Sequence, residues 1–141
     1  AGACRSVAGG TVLIAHGGAC KDAARYAASG AAGLVALVLS DCPADDVAGL
    51  RVAAPVLILR GRQSALMSHA EAVALREAFP GSRLIEPEEC GSWPFGSCPD
   101  AAAEAVEWFL FSCATPEMEF GEIGESEPVD PGRIQRRWQS R

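Results

Sequence analysis

No stretch of this chain approaches the ~20 consecutive apolar residues that a membrane-crossing helix requires, although 49% of its residues are hydrophobic. Positive charge is scarce too: 12 Lys and Arg stand against 18 Asp and Glu, for a net charge of −6. A chain of that sign lacks the basic face that binds phosphate backbones, which argues against nucleic acid as a partner. Aromatic residues make up only 6%, and nothing in the sequence repeats. Metal ligands are few. Two histidines and six cysteines with no CxxC pair offer no zinc-site spacing, so neither a metal nor a cofactor is expected. No signal-peptide pattern is visible, and the expected location is cytoplasmic. What is present, 141 residues rich in alanine and glycine, suits one compact domain with a real core.

Thr11 to Ala15 is a short apolar run with β-branched residues, bounded by Gly9-Gly10 and Gly17-Gly18. That is the pattern of a buried strand ending in a sharp turn. A helix is expected from about Gly18 to Ser29, where Ser29-Gly30 supplies a stop. Leu34 to Asp41 is a continuous apolar run of the kind found in interior parallel strands. Pro55 to Gly61 reads as the next strand, with only Cys42 to Ala54 between them. A helix from about His69 to Phe79 and a strand from Ser82 to Ile85 follow. In the closing helix Pro99 suits the first turn and Asp100 complements the helix dipole. Ala102, Val106, Phe109 and Cys113 then recur at helical spacing, with Leu110 widening the stripe.

In their order and register these segments, from about Thr11 to Cys113, resemble the C-terminal half of an α/β-hydrolase-fold protein. The nucleophile elbow of that family is a small-x-nucleophile-x-small turn between a strand and a helix. Here it is matched by Ala15-His16-Gly17-Gly18-Ala19, with Gly17 in the nucleophile's place. The family's acid commonly lies three residues beyond the glycine that follows the later strand, and that position is Ser64. Cys90-Gly91-Ser92-Trp93-Pro94-Phe95, followed by Pro99-Asp100-Ala101, looks like the family's Gly-His-x-x loop, with Ser92 in place of the base. The resemblance implies a three-layer half α/β-hydrolase fold, a mostly parallel sheet of about four strands with flanking helices and no cap domain. With all three triad positions changed, ordinary hydrolysis is not expected.

Open α/β sheets bind ligands at the carboxyl ends of their strands. Asp41, Ser64 and Ser92 fall there and are the candidate catalytic residues, Asp41 as acid or base and the serines as orienting groups. Their ordinary structural roles are a turn-capping aspartate and two loop hydroxyls. His16, Gly17, Gly18, Cys42, Trp93 and Phe95 are the candidate ligand-binding residues, and the missing side chain at Gly17 leaves room for a hydrophobic small molecule. His16 also fits a packing role under the turn, and His69 a surface or capping role. Non-hydrolytic members of the superfamily isomerise, eliminate or cyclise, so the resemblance implies an isomerase, lyase or cyclase acting by substrate orientation. The alternative is a non-catalytic accessory or scaffold subunit that completes its fold with a partner chain. Cys42 and Cys90 are candidates for a reactive thiol, Cys90 and Cys98 for a local disulfide, and Cys20 and Cys113 for packing.

In a complete hydrolase the Thr11–Ala15 strand is interior. Without the strands that precede it, it is expected to present an exposed apolar edge, which predicts a homodimer or a heterodimer through that edge. The domain is expected to end at 113. Residues 114 to 141 are rich in Pro, Glu and Gly, acidic from Glu117 to Asp130 and basic from Arg133 to Arg141. They read either as a mobile tail or as a partner-docking arm with Met118, Phe120, Ile123 and Trp138 as anchors.

Overall fold

A computed structural model describes residues 3–7 and 10–114. The elements run β1 (Ala3–Val7), β2 (Gly10–His16), α1 (Ala19–Ala28), β3 (Leu34–Ser40), a short 3-10 turn (Ala44–Val47), β4 (Val56–Leu59), α2 (His69–Ala78), β5 (Arg83–Ile85), α3 (Pro94–Ser97) and α4 (Pro99–Ala114). The strands form one sheet in the order β1-β2-β3-β4-β5. β2 to β5 are parallel, while β1 is antiparallel to β2. This is an α/β fold with helices on both faces of a mostly parallel sheet, and no cap domain interrupts the described residues. Of the expected tail, Ala114 ends α4 and the rest lies outside them.

The alternation of side chains in the strands builds two cores. Leu13 and Ala15 of β2, Leu37 and Leu39 of β3, and Val56 and Ile58 of β4 face α1 and α2, whose Cys20, Ala23, Ala24, Ala27, Ala72 and Leu75 complete that layer. Val12, Ala36, Val38, Leu57, Leu59 and Ile85 face the other way, onto Ala102, Ala105 and Phe109 of α4. The sheet advances one strand at a time from β2 to β5. Right-handed crossovers taken in one direction put their helices on one face, so α1 and α2 share a side. α4, which follows the last strand, covers the other together with Phe95 of α3. The alanines of α1 let it lie close to the sheet, and continuous apolar strands such as Leu34–Ser40 are what a sheet covered on both faces demands. α4 runs back against the direction of the parallel strands, and Arg83, the first residue of β5, lies near Cys113 at its far end.

Local chemistry sets the ends of these elements. Ser68 caps α2, accepting from the Glu71 backbone N–H at 3.1 Å while the Glu71 carboxylate accepts from Ser68 N at 2.7 Å, a reciprocal capping box. Arg60, almost fully buried just after β4, donates through Nε to Met67 O and through Nη1 to Glu86, both at 2.6 Å, and Glu86 in turn lies 2.7 Å from His69 Nδ1. His69 is therefore an exposed helix-start residue bound to a structural ion pair. The segment after β4 also follows the one after β5: Arg62 N donates to Pro87 O and Gln63 N to Cys90 O, each at 2.9 Å. Gly61 permits this approach, because a Cβ there would collide with the backbone of Cys90 and Gly91.

One expectation is corrected. The Thr11–Ala15 strand is not an edge, because Ala3–Val7 pairs along it from Ala3 opposite Ile14 to Val7 opposite Gly10. The hydrogen-bonding side that was to drive dimerisation through Thr11–Ala15 is already occupied within the chain. Gly9-Gly10 is a tight-turn signal of the kind that joins hairpin strands.

Candidate functional site at the ends of the parallel strands

β2 and β3 both end in left-handed backbone. Gly17 follows β2 with φ +58°, and Asp41 follows β3 with φ +45°. Glycine adopts this region freely, whereas at Asp41 it costs on the order of 1–2 kcal/mol, reduced because aspartate is among the residues that enter it. Two backbone bonds hold the turns: Gly17 N donates to Ser40 O at 2.9 Å and Asp41 N to Leu59 O at 3.2 Å. The space where a Gly17 side chain would begin is open, with no atom within 4 Å, and the same is true at Gly18.

Around these turns the structure brings together most of the residues expected from the sequence. Ser64 Oγ donates to Asp41 Oδ1 at 2.8 Å, and the same hydroxyl accepts from the N–H groups of Leu66 and Met67 at 3.1 and 3.3 Å. His16 Nδ1 lies 3.1 Å from Ser40 Oγ and 4.0 Å from Asp41 Oδ2. The Asp41 side chain is fully buried, and Oδ2 has no hydrogen-bond partner. Burial pushes the Asp41 carboxyl above the usual carboxylate range, against the opposing pull of the Ser64 hydroxyl, of His16 and of Arg60. His16 keeps 31% of its side chain exposed, and Ser64 is also partly exposed. Asp41 is buried behind His16.

The loop after β5 forms the remaining wall. Ser92 Oγ accepts from Ala65 N at 3.0 Å, joining this loop to the one that carries Ser64. Trp93 is 56% exposed; its ring covers the position where a Gly96 side chain would stand and lies 6.2 Å from the His16 ring at a 51° tilt.

Three expected residues lie elsewhere or in another state. Phe95 is half-buried and packs with the α4-side core. Cys42 is fully buried, and its hydrogen bond with Cys20 together with burial pushes its thiol far above the reactive range, so it is a packing residue. Cys90 is bonded to Cys98, which realises the local disulfide and removes the reactive-thiol expectation at that position. Nor do the expected residues line the surface pocket of about 220 Å³ formed by Pro87, Glu88, Glu89, Cys98, Pro99, Asp100 and Ala101.

Sequence reasoning missed Ser40, which receives His16, and it missed that His16 and Asp41 are partners. The signal was the polar Ser40-Asp41 pair closing an otherwise apolar run. Among the described residues no group of three or more His, Cys, Asp or Glu is placed to hold a metal ion, and no helix is long and apolar enough to cross a membrane. No family model, no curated protein and no solved structure matches this chain.

Proposed function

We propose that the chain is a disarmed relative of the α/β-hydrolase fold that binds a hydrophobic small molecule against Trp93 and moves a proton on it through His16. The reaction class is isomerisation or elimination. Asp41 carries the reading. A buried carboxylate oxygen without a hydrogen bond is expensive in a purely structural role, and this one stands 4.0 Å from an accessible imidazole. With Nδ1 protonated and donating to Ser40 Oγ, His16 offers the Nε2 lone pair as a base. It removes a proton from a carbon activated by a neighbouring electron-withdrawing group. Asp41 steadies the imidazolium that forms, and Ser64 holds Asp41 in place. Returning the proton at an adjacent carbon completes an isomerisation; loss of a leaving group completes an elimination. Asp41 is here a positioning residue, and general acid–base assistance of this kind contributes roughly 10²–10⁴-fold.

The test uses the full chain in deuterated water with a panel of small apolar ketones and enones. Catalysed deuterium incorporation next to the carbonyl is expected, lost in His16→Gln and reduced in Asp41→Asn. Equal incorporation by wild type and His16→Gln overturns the proposal.

A second reading, an accessory subunit, is favoured by one observation. Leu66 and Trp93, 65% and 56% exposed, flank the Ala65–Ser92 bond and present apolar surface at the same rim. It predicts that Leu66→Asp abolishes capture of a partner chain while His16→Gln does not.

A further inference from the structure

We infer that the Cys90–Cys98 disulfide is a redox-operated clamp on the Ser92–Trp93 wall, opened by thiol attack at Cys98. The role of that wall in ligand binding rests on the function proposed above; the clamp itself does not. The bridged residues enclose Ser92, Trp93 and the whole of α3. Pro94 is fully buried and Phe95 packs with the α4-side core, but few hydrogen bonds hold Ser92 and Trp93 ahead of them. Ser92 accepts from Ala65 N, Cys90 O accepts from Gln63 N at 2.9 Å, and Ser97 Oγ donates to Trp93 O at 2.8 Å within the segment itself. α3 is a single turn, too short to persist without tertiary support. Removing the covalent tie therefore loosens Ser92 and Trp93, which lie ahead of the Pro94 and Phe95 anchors, whereas the sheet, covered by α1, α2 and α4, does not depend on it.

The two sulfurs differ in access. Cys90 is 1% exposed, while Cys98 is partly exposed and lines the pocket it shares with Glu88, Glu89 and Asp100. A reducing thiolate reaches Cys98. It bonds to that sulfur, the Cys90–Cys98 bond breaks, and Cys90 leaves as thiolate and takes up a proton. Ser97 Oγ, 3.6 Å from the Cys90 sulfur, is placed to accept from the thiol that results. A second thiol then resolves the mixed disulfide, releasing Cys98 as a thiol and the reagent as its own disulfide. Glu88 is paired with Arg62 at 3.2 Å, but Glu89 and Asp100 beside this approach repel anionic thiols and favour cationic ones, an effect that salt screens.

The experiment follows amide exchange by NMR on the full chain before and after reduction with dithiothreitol, and in Cys98→Ser, which reaches the open state without reagent. Exchange at Gln63 and Ala65 is expected to rise at least tenfold with Leu39 unchanged, and the His16 ring resonances are expected to move as Trp93 departs. Cysteamine is expected to reduce the bond several-fold faster than glutathione at low salt, with the gap closing at high salt. Unchanged exchange at Gln63 and Ala65 after full reduction overturns the clamp. So does loss of protection at Leu39 as well, since the bond would then hold the entire fold. None of these readings uses a ligand, so failure of the proton-transfer proposal leaves them intact.

Discussion

His16 and Asp41 meet at 4.0 Å from the ends of neighbouring strands, and the register of the sheet is what brings them there. β2 and β3 begin with Thr11 opposite Leu34, but from Val12 onward the pairing moves by one, so that His16 ends opposite Ser40. Val35 is the extra residue, half out in solvent, and its side chain fills the place of a missing Gly10 Cβ. Without that bulge His16 would face Leu39, and Asp41 would stand one position further away. Because strand side chains alternate between faces, a shift of one residue inverts every contact.

Gly10→Ala therefore strikes the site from its far end. The added methyl collides with Val35, a stiff β-branched side chain with little room to yield. A loss of about 1–3 kcal/mol is expected, as for other overpacked positions, with His16 and Ser64 amide shifts displaced. Adding Val35→Ala should restore most of the stability. Urea unfolding of the single and double variants measures the coupling, and additive losses would contradict the account.

The Asp41 carboxyl gives the chain a distinct pH signature. Burial holds it above its ordinary value of 3.8, so the native state binds this proton more tightly than the unfolded chain does. Its contribution to stability is greatest below the unfolded value and declines as pH rises through the higher native one. Asp41→Asn, neutral and tolerant of the left-handed backbone, removes that decline. The stability of wild type minus that of Asp41→Asn should fall as pH rises above the ordinary value of 3.8. Denaturant midpoints across that rise in pH provide the test, and a difference that rises with pH reverses the assigned sign.

Ser64→Ala withdraws the one hydrogen bond to the buried carboxylate and an acceptor shared by two backbone N–H groups. A cost of about 1–3 kcal/mol is expected, with the Asp41 carboxyl pushed further up. Side-chain carboxyl NMR reads that shift directly, and a lowered value would contradict the placement of Ser64.

Glu86 and His69 share a contact, yet their loss should differ. Glu86→Ala leaves Arg60 buried without its counter-charge, at a cost of about 3–5 kcal/mol. His69 is 67% exposed, so His69→Ala is expected within about 0.5 kcal/mol of wild type. Thermal melts of the two variants separate these roles.

Much of the architecture could be read in the residues. Strands buried on both faces must be apolar throughout, so Leu34 to Ser40 and Val56 to Leu59 were legible as interior, and the helices between them followed from composition and stop signals. β1 escaped because a short hairpin strand of mixed polarity, Ala3–Val7, carries no strong pattern of its own. In the site, Asp41, Ser64, Ser92 and the glycine turn were found by position along the chain. Their partnerships were not, since His16 and Ser40 are 24 positions apart and meet only through a bulge that no local pattern announces. Cys42 and Phe95 were misplaced for a related reason: nearness to a strand end does not say which layer a side chain enters.

The course of α4 decides on which side of the sheet the backbone emerges. The helix starts at Pro99 beside the wall that carries Trp93 and spans 16 residues, roughly 24 Å at the usual helical rise. It finishes near Arg83, on the floor of the sheet. The backbone thus leaves α4 on the side of the sheet remote from His16.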